Sequence, residues 1–307
     1  MHPLKSPTII GELMNHSYAR ARKAWEARDI SGYQKLAKLQ TDLGASYLTL
    51  NLDGTQTLNV TVDEMLAFLP ELVPALQAVT HLPISFDNPD VAFHKEALKH
   101  FDNAKSTGKP ILNSLAVSRD DLDEMIELVA RYETHVIIMV SECYGPSGHM
   151  AATTTPEQAR DTACHFVRRL KAEAGVENDR IVIDPGLSPI TSDFKGHINL
   201  GLDTMKLIRA TPELEGAHIS IGLSNLAFGT PKEVRHDLER AYLTLALEAG
   251  LDWALANPEK NTVPLDRTHP MVTQLESVLY EGRVQPGETG ETAGYRQLEA
   301  LMKVWKP

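Results

Sequence analysis

Short apolar runs in this chain end again and again in a carboxylate or a carboxamide. The first run ends in Gly11, Glu12 and, soon after, Asn15; the second in Asn51, Asp53 and Gly54; the third in Asp87 and Asn88. The fourth ends in Asn113 and Ser114, the sixth in Asp184, Pro185 and Gly186, and the seventh in Ser224, Asn225 and Phe228. Any one of these could be a turn former or a helix cap, the commonest use of Asp or Asn after a strand. Six of eight runs ending this way points to several of them facing one polar ligand. Carboxylates and carboxamides with no Lys or Arg in the same motifs suit a neutral heterocycle that offers N–H donors and ring-nitrogen acceptors. Phosphate fits poorly, because neither GxGxxG nor GxxxxGKS is present and "GLSNLAFG" stands where a Gly-rich phosphate loop would be expected. The twelve histidines are scattered without HxH, HExxH or HxxxH spacing, so no bound metal is expected.

The elements that must position these groups follow from periodicity. Strand candidates are 8–10, 47–51, 83–86, 110–113, 135–140, 180–183, 217–222 and 252–255. Helical segments lie between and after them, at 19–43, 62–79, 89–103, 119–132, 156–174, 200–210, 231–249 and 271–303, the last with a break. "TVDE" at 61–64 reads as a capping box, and "TTPEQ" from 154 and "TPKE" from 230 place Pro near a first turn. Strands separated by helices of this length pair in parallel through crossovers. Eight such units predict an α/β fold closed as a (β/α)8 barrel, with an open doubly wound sheet as the alternative. In a barrel the strand-end residues converge on the C-terminal mouth, where such enzymes build their sites. No internal linker is legible, so residues 1–307 are expected to form a single barrel domain. The stretch 281–294 reads as an exposed loop, and 141–150, "SECYGPSGHM", as either a mobile active-site loop or an ordinary exposed one.

Composition narrows the class. At 307 residues, 42% hydrophobic and 23% charged, the chain has ample material for a core. A formal charge of −11 argues against a nucleic-acid or anionic-membrane surface, which would need a basic stripe. No apolar run approaches a membrane span, and "MHPLKSPTIIGE" lacks the apolar stretch of a signal peptide. Cys143 and Cys164 form neither a disulfide framework nor a CxxC site, so a cytoplasmic protein is expected.

The strand-end motifs "IIGELMN" (9–15), "LTLNLDG" (48–54), "SFDNPD" (85–90), "ILNSLA" (111–116), "VIDPGL" (182–187) and "IGLSNLAFG" (221–229) together resemble a family. It is that of the pterin-binding methyltransferases, which move a methyl group between tetrahydrofolate and a corrinoid. It includes the acetogenic methyltransferase, the folate module of methionine synthase, and the second methyltransferases of O-demethylase and glycine betaine systems. The resemblance implies a barrel with tetrahydrofolate or methyltetrahydrofolate as substrate. Asp87, Asn113 and Asp184 would bond the pterin ring, and Asn225 would reach nitrogen 5, which carries the methyl group. Asp184 and Asn225 are the implied catalytic pair, with Asn51, Glu12, Asn15 and Ser224 as further pterin-binding candidates and Phe228 as the corrinoid-facing residue. No DxHxxG corrinoid-binding signature is present, so a separate corrinoid (cobalamin) protein is the expected partner, and a homodimer the expected assembly. The opening motif has Leu13 where the family usually has Arg, and Phe228 is closer to methionine synthase modules than to the acetogenic enzyme. Dihydropteroate synthase shares the barrel and the "IDPG" strand, but resembles "DIGGEST" where this chain has "LNLDGTQT" and carries a Lys-bearing seventh strand. A non-catalytic folate-binding protein is a third reading, against which the intact Asp87, Asn113, Asp184 and Asn225 weigh.

Overall fold

In the computed structural model the described residues are 6–145 and 148–304, which leaves out the first five residues of the N-terminal stretch and Pro146 and Ser147 of the 141–150 loop. The elements are β1 (Thr8–Asn15), α1 (Ala19–Glu26), α2 (Ile30–Asp42), β2 (Tyr47–Asn51), α3 (Val62–Gln77), β3 (Ile84–Asp87), α4 (Val91–His100), β4 (Ile111–Leu115) and α5 (Leu122–Tyr132). There follow β5 (His135–Met139), β6 (Glu142–Tyr144), β7 (Met150–Ala152), α6 (Pro156–Ala174), β8 (Ile181–Asp184), α7 (His197–Arg209) and β9 (His218–Ile219). The chain continues through α8 (Lys232–Glu248), β10 (Trp253–Ala256), α9 (Pro270–Glu281) and α10 (Gly290–Val304).

Eight of the strands form one parallel sheet in the order β10-β1-β2-β3-β4-β5-β8-β9. A bridge between Gly222 and Leu255, with the Leu255 N–H donating to the Ile221 carbonyl at 3.0 Å, brings β9 against β10 and rolls the sheet into a nearly closed barrel. The expected barrel is therefore the observed one, and the doubly wound alternative falls away.

Alternation along the strands sorts two cores. Ile10, Ile111, Ile137, Val182 and Trp253 pack together with Tyr47, Met139 and Leu255 inside the barrel. Their sequence neighbours, such as Ile9, Leu48, Leu112, Val136, Ile138, Ile181, Ile183 and Ala254, join the larger cluster between barrel and helices. At the N-terminal strand ends the floor is ring-filled: Tyr47 and His218 each lie 4.8 Å from the Trp253 ring, with His135 at 6.0 Å. The inward carboxylates and carboxamides, Asn51, Asp87, Asn113 and Asp184, lie at the opposite, C-terminal end.

The caps hold as their sequences suggest. Thr61 accepts from the Glu64 N–H at 3.3 Å while the Glu64 carboxylate accepts from the Thr61 N–H at 3.0 Å, and Thr155 with Gln158 repeats the arrangement at α6 behind Pro156. Several boundaries differ from the sequence expectation, three of them near the barrel mouth or its first helices. The helical segment 19–43 is two helices, because the chain turns at Arg28 (φ +49°), whose guanidinium lies 3.8 Å over the Trp25 ring and pairs with Glu64 at 2.9 Å. The first strand runs on past residue 10 through an irregularity between Gly11 and Met14, which keeps Glu12 in the barrel wall. The 141–150 segment is neither of the loops expected: β6 and β7 pair as an antiparallel hairpin, Glu142 with Ala152 and Tyr144 with Met150.

Candidate functional site

Asp87, Asn113 and Asp184 sit on the last inward positions of β3, β4 and β8, or at the step beyond them. Register places Asp87 beside Asn113, and Met139 beside Asp184. These side chains and Asn225 line one cavity of about 580 Å³ at the barrel mouth, within the range of sites for small organic ligands. The apolar part of its wall comes from Met139, Val140, Leu187, Leu200 and Leu255, and among the described residues no Lys or Arg lines it. A second hollow of about 570 Å³ shares Asp87, Asn113 and Ser114 and extends over Pro89 and Arg119.

Burial makes the carboxyls unusual. It pushes the Asp184 pKa up to about 7, with the nearby negative charge of Asp87 adding to the effect and the Gly186 N–H, donating at 2.7 Å, opposing it. Asp87 is pushed up to about 6, again mainly by burial and then by Asp53, while the Asn51 carboxamide pulls it down. Two acceptors that hold their charge reluctantly, with no cation beside them, are suited to a ligand whose N–H groups supply the missing donors.

The other sequence candidates fall around this cavity. Asn51 stands behind Asp87 and folds over its own loop, accepting from the Asp53 N–H at 3.0 Å. Asn15 has the bland role: its Oδ1 accepts from the Ser17 N–H at 2.7 Å and closes a turn. Glu12 and Ser224 bond each other inside the wall next to Asn225, and Tyr18 also donates to Glu12. Burial raises the Glu12 pKa to about 7, opposed by the Ser224 and Tyr18 hydroxyls. Asn225 is exposed in a short turn, Leu223–Asn225, and Phe228 on the rim is 73% exposed.

Ser188 and Thr153 also line the cavity and were not singled out, and so does His197, which reads from the sequence as an ordinary loop histidine. His197 reaches it because α7 begins three residues before the expected helix. Asp193 captures the N–H groups of His197 and Ile198 at 2.7 and 3.1 Å, which also satisfies donors of the helix N-terminus. The Asp193 spacing was the available signal. Thr153 arrives through the hairpin, which nothing in its sequence announces. Among the described residues no group of His, Cys, Asp and Glu is placed to hold a metal ion, and no helix is long and apolar enough to cross a membrane.

The fold and the site together are those of a (β/α)8 barrel with a carboxylate-lined cavity at its mouth. The chain belongs to the pterin binding enzyme family, which it matches over residues 12–257. It is 27% identical to a methionine synthase of Mycobacterium leprae over 98% of its own length but only 24% of that protein's. The chain therefore spans about a quarter of the methionine synthases it matches. It is 24% identical to the methylcorrinoid:tetrahydrofolate methyltransferase of Eubacterium limosum, covering 81% of this chain and 84% of that one. Among solved structures, a Yersinia pestis dihydropteroate synthase superposes with a TM-score of 0.57 at 15% identity, covering 82% of this chain and 88% of that one. A Coxiella burnetii dihydropteroate synthase with pteroic acid gives 0.56 at 20%, over 82% and 87% of the two chains. At such identities these likenesses speak for the fold.

Proposed function

We propose that this protein transfers a methyl group between nitrogen 5 of tetrahydrofolate and the cobalt of a corrinoid presented by a partner protein. The observation that carries the reading is the convergence of Asp87, Asn113, Asp184 and Asn225 on one cavity with no cation in its lining. In this reading Asp87, Asn113 and Asp184 hold the donor edge and ring nitrogens of the pterin. Asn225, exposed on the rim, meets nitrogen 5. When the methyl group leaves nitrogen 5 its bonding electron pair stays on nitrogen, which must then gain a proton or a strong hydrogen bond. A carboxamide cannot supply that proton, so Asn225 orients and stabilises the nitrogen while the proton comes from solvent. No side chain has to become a nucleophile; the protein's part is placement and electrostatics. Lysine, expected on the seventh strand of a dihydropteroate synthase, is absent from the cavity lining, which disfavours that reaction.

The test is anaerobic. The purified protein is mixed with methylcobalamin and tetrahydrofolate, and separately with cobalt(I) cobalamin and methyltetrahydrofolate, while the cobalt absorption spectrum is followed. Turnover is expected in at least one direction, with Asn225→Ala lowering the rate about 100-fold, the usual scale for removing one preorganised donor. Binding of methyltetrahydrofolate without turnover would point to a dedicated corrinoid protein. Failure to bind either folate would overturn the reading.

A further inference from the structure

A chain of buried polar groups runs outward from the wall behind Asn225. Ser224 Oγ donates to Glu12 and accepts from Asn261 Nδ2 at 3.1 Å. The same Asn261 amide donates to Glu239 at 2.9 Å, and Glu239 meets the half-exposed ring of His236 at 3.1 Å. Asn261 is completely buried and Glu239 is 1% exposed.

The placement of Glu239 needs a reason. It lies on α8 among Leu238, Ala241, Tyr242, Leu243 and Leu245, which fill the space between barrel and helix. Burial raises its pKa, which marks the cost of keeping a charge there. Replacing such a carboxylate with an apolar side chain of similar volume is commonly neutral or stabilising, so stability alone does not account for it. What it does hold is the Asn261 amide. Asn261 is fixed from its other side as well, where its Oδ1 accepts from the Asn257 N–H at 2.8 Å.

The backbone of the turn that carries Asn225 is held by local bonds, from the Asn225 N–H to the Gly222 carbonyl at 3.1 Å, from the Leu226 N–H to the Leu223 carbonyl at 3.3 Å and from the Phe228 N–H to the Asn225 carbonyl at 3.2 Å, while the side chain of Ser224 ties it to the wall behind. A Cβ on Gly222 would approach Asn225 Nδ2 to 3.0 Å, so the carboxamide lies directly over a glycine backbone, and any sideways shift of the turn moves it. Ser224 is gripped by Glu12 on one side and Asn261 on the other.

We propose that Asn261 and Glu239 are positioning residues for Asn225, acting through Ser224 to hold the carboxamide at the angle that methyl transfer needs. The inference rests on the proposed function for its kinetic consequence but not for its geometric one. A misplacement of about 1 Å at a reacting centre costs up to about 100-fold in rate, so losing part of the grip is expected to cost about tenfold.

The variants are Asn261→Leu, Glu239→Ala and Glu239→Gln, with Leu275→Ala in the core of α9 as a destabilised control. Asn261→Leu and Glu239→Ala are expected to lower kcat about tenfold with the folate Kd within about threefold of wild type. Glu239→Gln, whose amide oxygen can still accept from Asn261, is expected to recover most of the loss. Leu275→Ala, with a comparable fall in Tm, is expected to keep kcat. Crystal structures of wild type and Asn261→Leu are compared in parallel, where a displaced 223–225 turn is expected. Unchanged kcat in both loss variants, or an Asn225 that stays in place, would overturn the inference. If the wild-type protein neither binds folate nor turns over, the proposed function fails, and the crystallographic comparison alone decides the positioning role.

Discussion

Asp184 and Asp87 carry a pH dependence whose sign follows from their surroundings. Their pKa values are raised to about 7 and about 6, so at neutral pH each is close to accepting a proton. A pterin edge that donates N–H groups binds the ionised carboxylates, and protonation below that range removes the acceptors. The Kd for methyltetrahydrofolate is expected to rise by up to about tenfold per pH unit as pH falls below about 7, where Asp184 takes up its proton, and more steeply below about 6, where Asp87 follows, measured by calorimetry or fluorescence titration. Asp184→Asn should bind about 10–100-fold more weakly at pH 8, the scale of a lost charge-assisted bond, and show a flatter pH profile. Full affinity in Asp184→Asn would remove the carboxylate from the site. At this scale the sequence was informative where chemistry is local to a motif: "SFD", "ILN" and "IVIDPG" end strands and carry their polar residue to the mouth. It was uninformative where a role depends on a distant partner. Glu12 reads like another ligand-facing acid until Ser224, over two hundred residues away, is seen bonded to it.

Among the elements, α10 is the one that lies beyond the eight βα units. It packs on the loop after β8, the loop whose Gly186, Leu187 and Ser188 line the cavity. Gln297 donates to the Asp193 carbonyl and carboxylate, each at 3.3 Å, and Tyr295 meets the Phe194 ring edge-on at 5.8 Å. Gly294 allows this approach, since a Cβ there would come within 2.8 Å of the Phe194 carbonyl carbon. Gly294→Ala is therefore expected to cost about 1–3 kcal/mol by forcing α10 off the loop, and to lower Tm by several degrees. The same variant should weaken folate binding, because the displaced loop forms one side of the cavity; unchanged Tm and affinity would show that the loop holds itself. The sequence showed a break and an exposed loop across 281–294, and the loop proper is the shorter stretch between Glu281 and Gly290. Gly294 is helical here, against its usual preference, and it is the residue that packs on the Phe194 backbone.

For the whole molecule, two sets of buried groups oppose each other in pH. Burial holds His16, His94 and His135 neutral down to about 4, so each adds stability as pH rises from about 4 to its unfolded value near 6.5. Glu12, Asp87 and Asp184 run the other way: raised in the folded state, they favour folding at low pH and lose that contribution as pH climbs toward 6 and 7. Three groups of each sign, at about 1.4 kcal/mol per pH unit apiece, nearly cancel between pH 5 and 6. Urea unfolding is expected to give a stability flat to within about 2 kcal/mol over that window and falling above pH 6.5. Asp184→Asn removes one falling contribution and should tilt the plateau upward by about 1.4 kcal/mol per unit. A wild-type stability that climbs steadily from pH 5 to 8 would show that these carboxyls are not held protonated. The division between sequence and structure follows the same physics. The eight strands, their parallel pairing and the polar strand endings could be read from the sequence, because alternation, crossover length and Pro-Gly stops are properties of neighbouring residues. Which of those endings share a cavity, and which turn inward to brace the wall, was decided only when the barrel closed, because closure sets distances between residues that the chain keeps far apart.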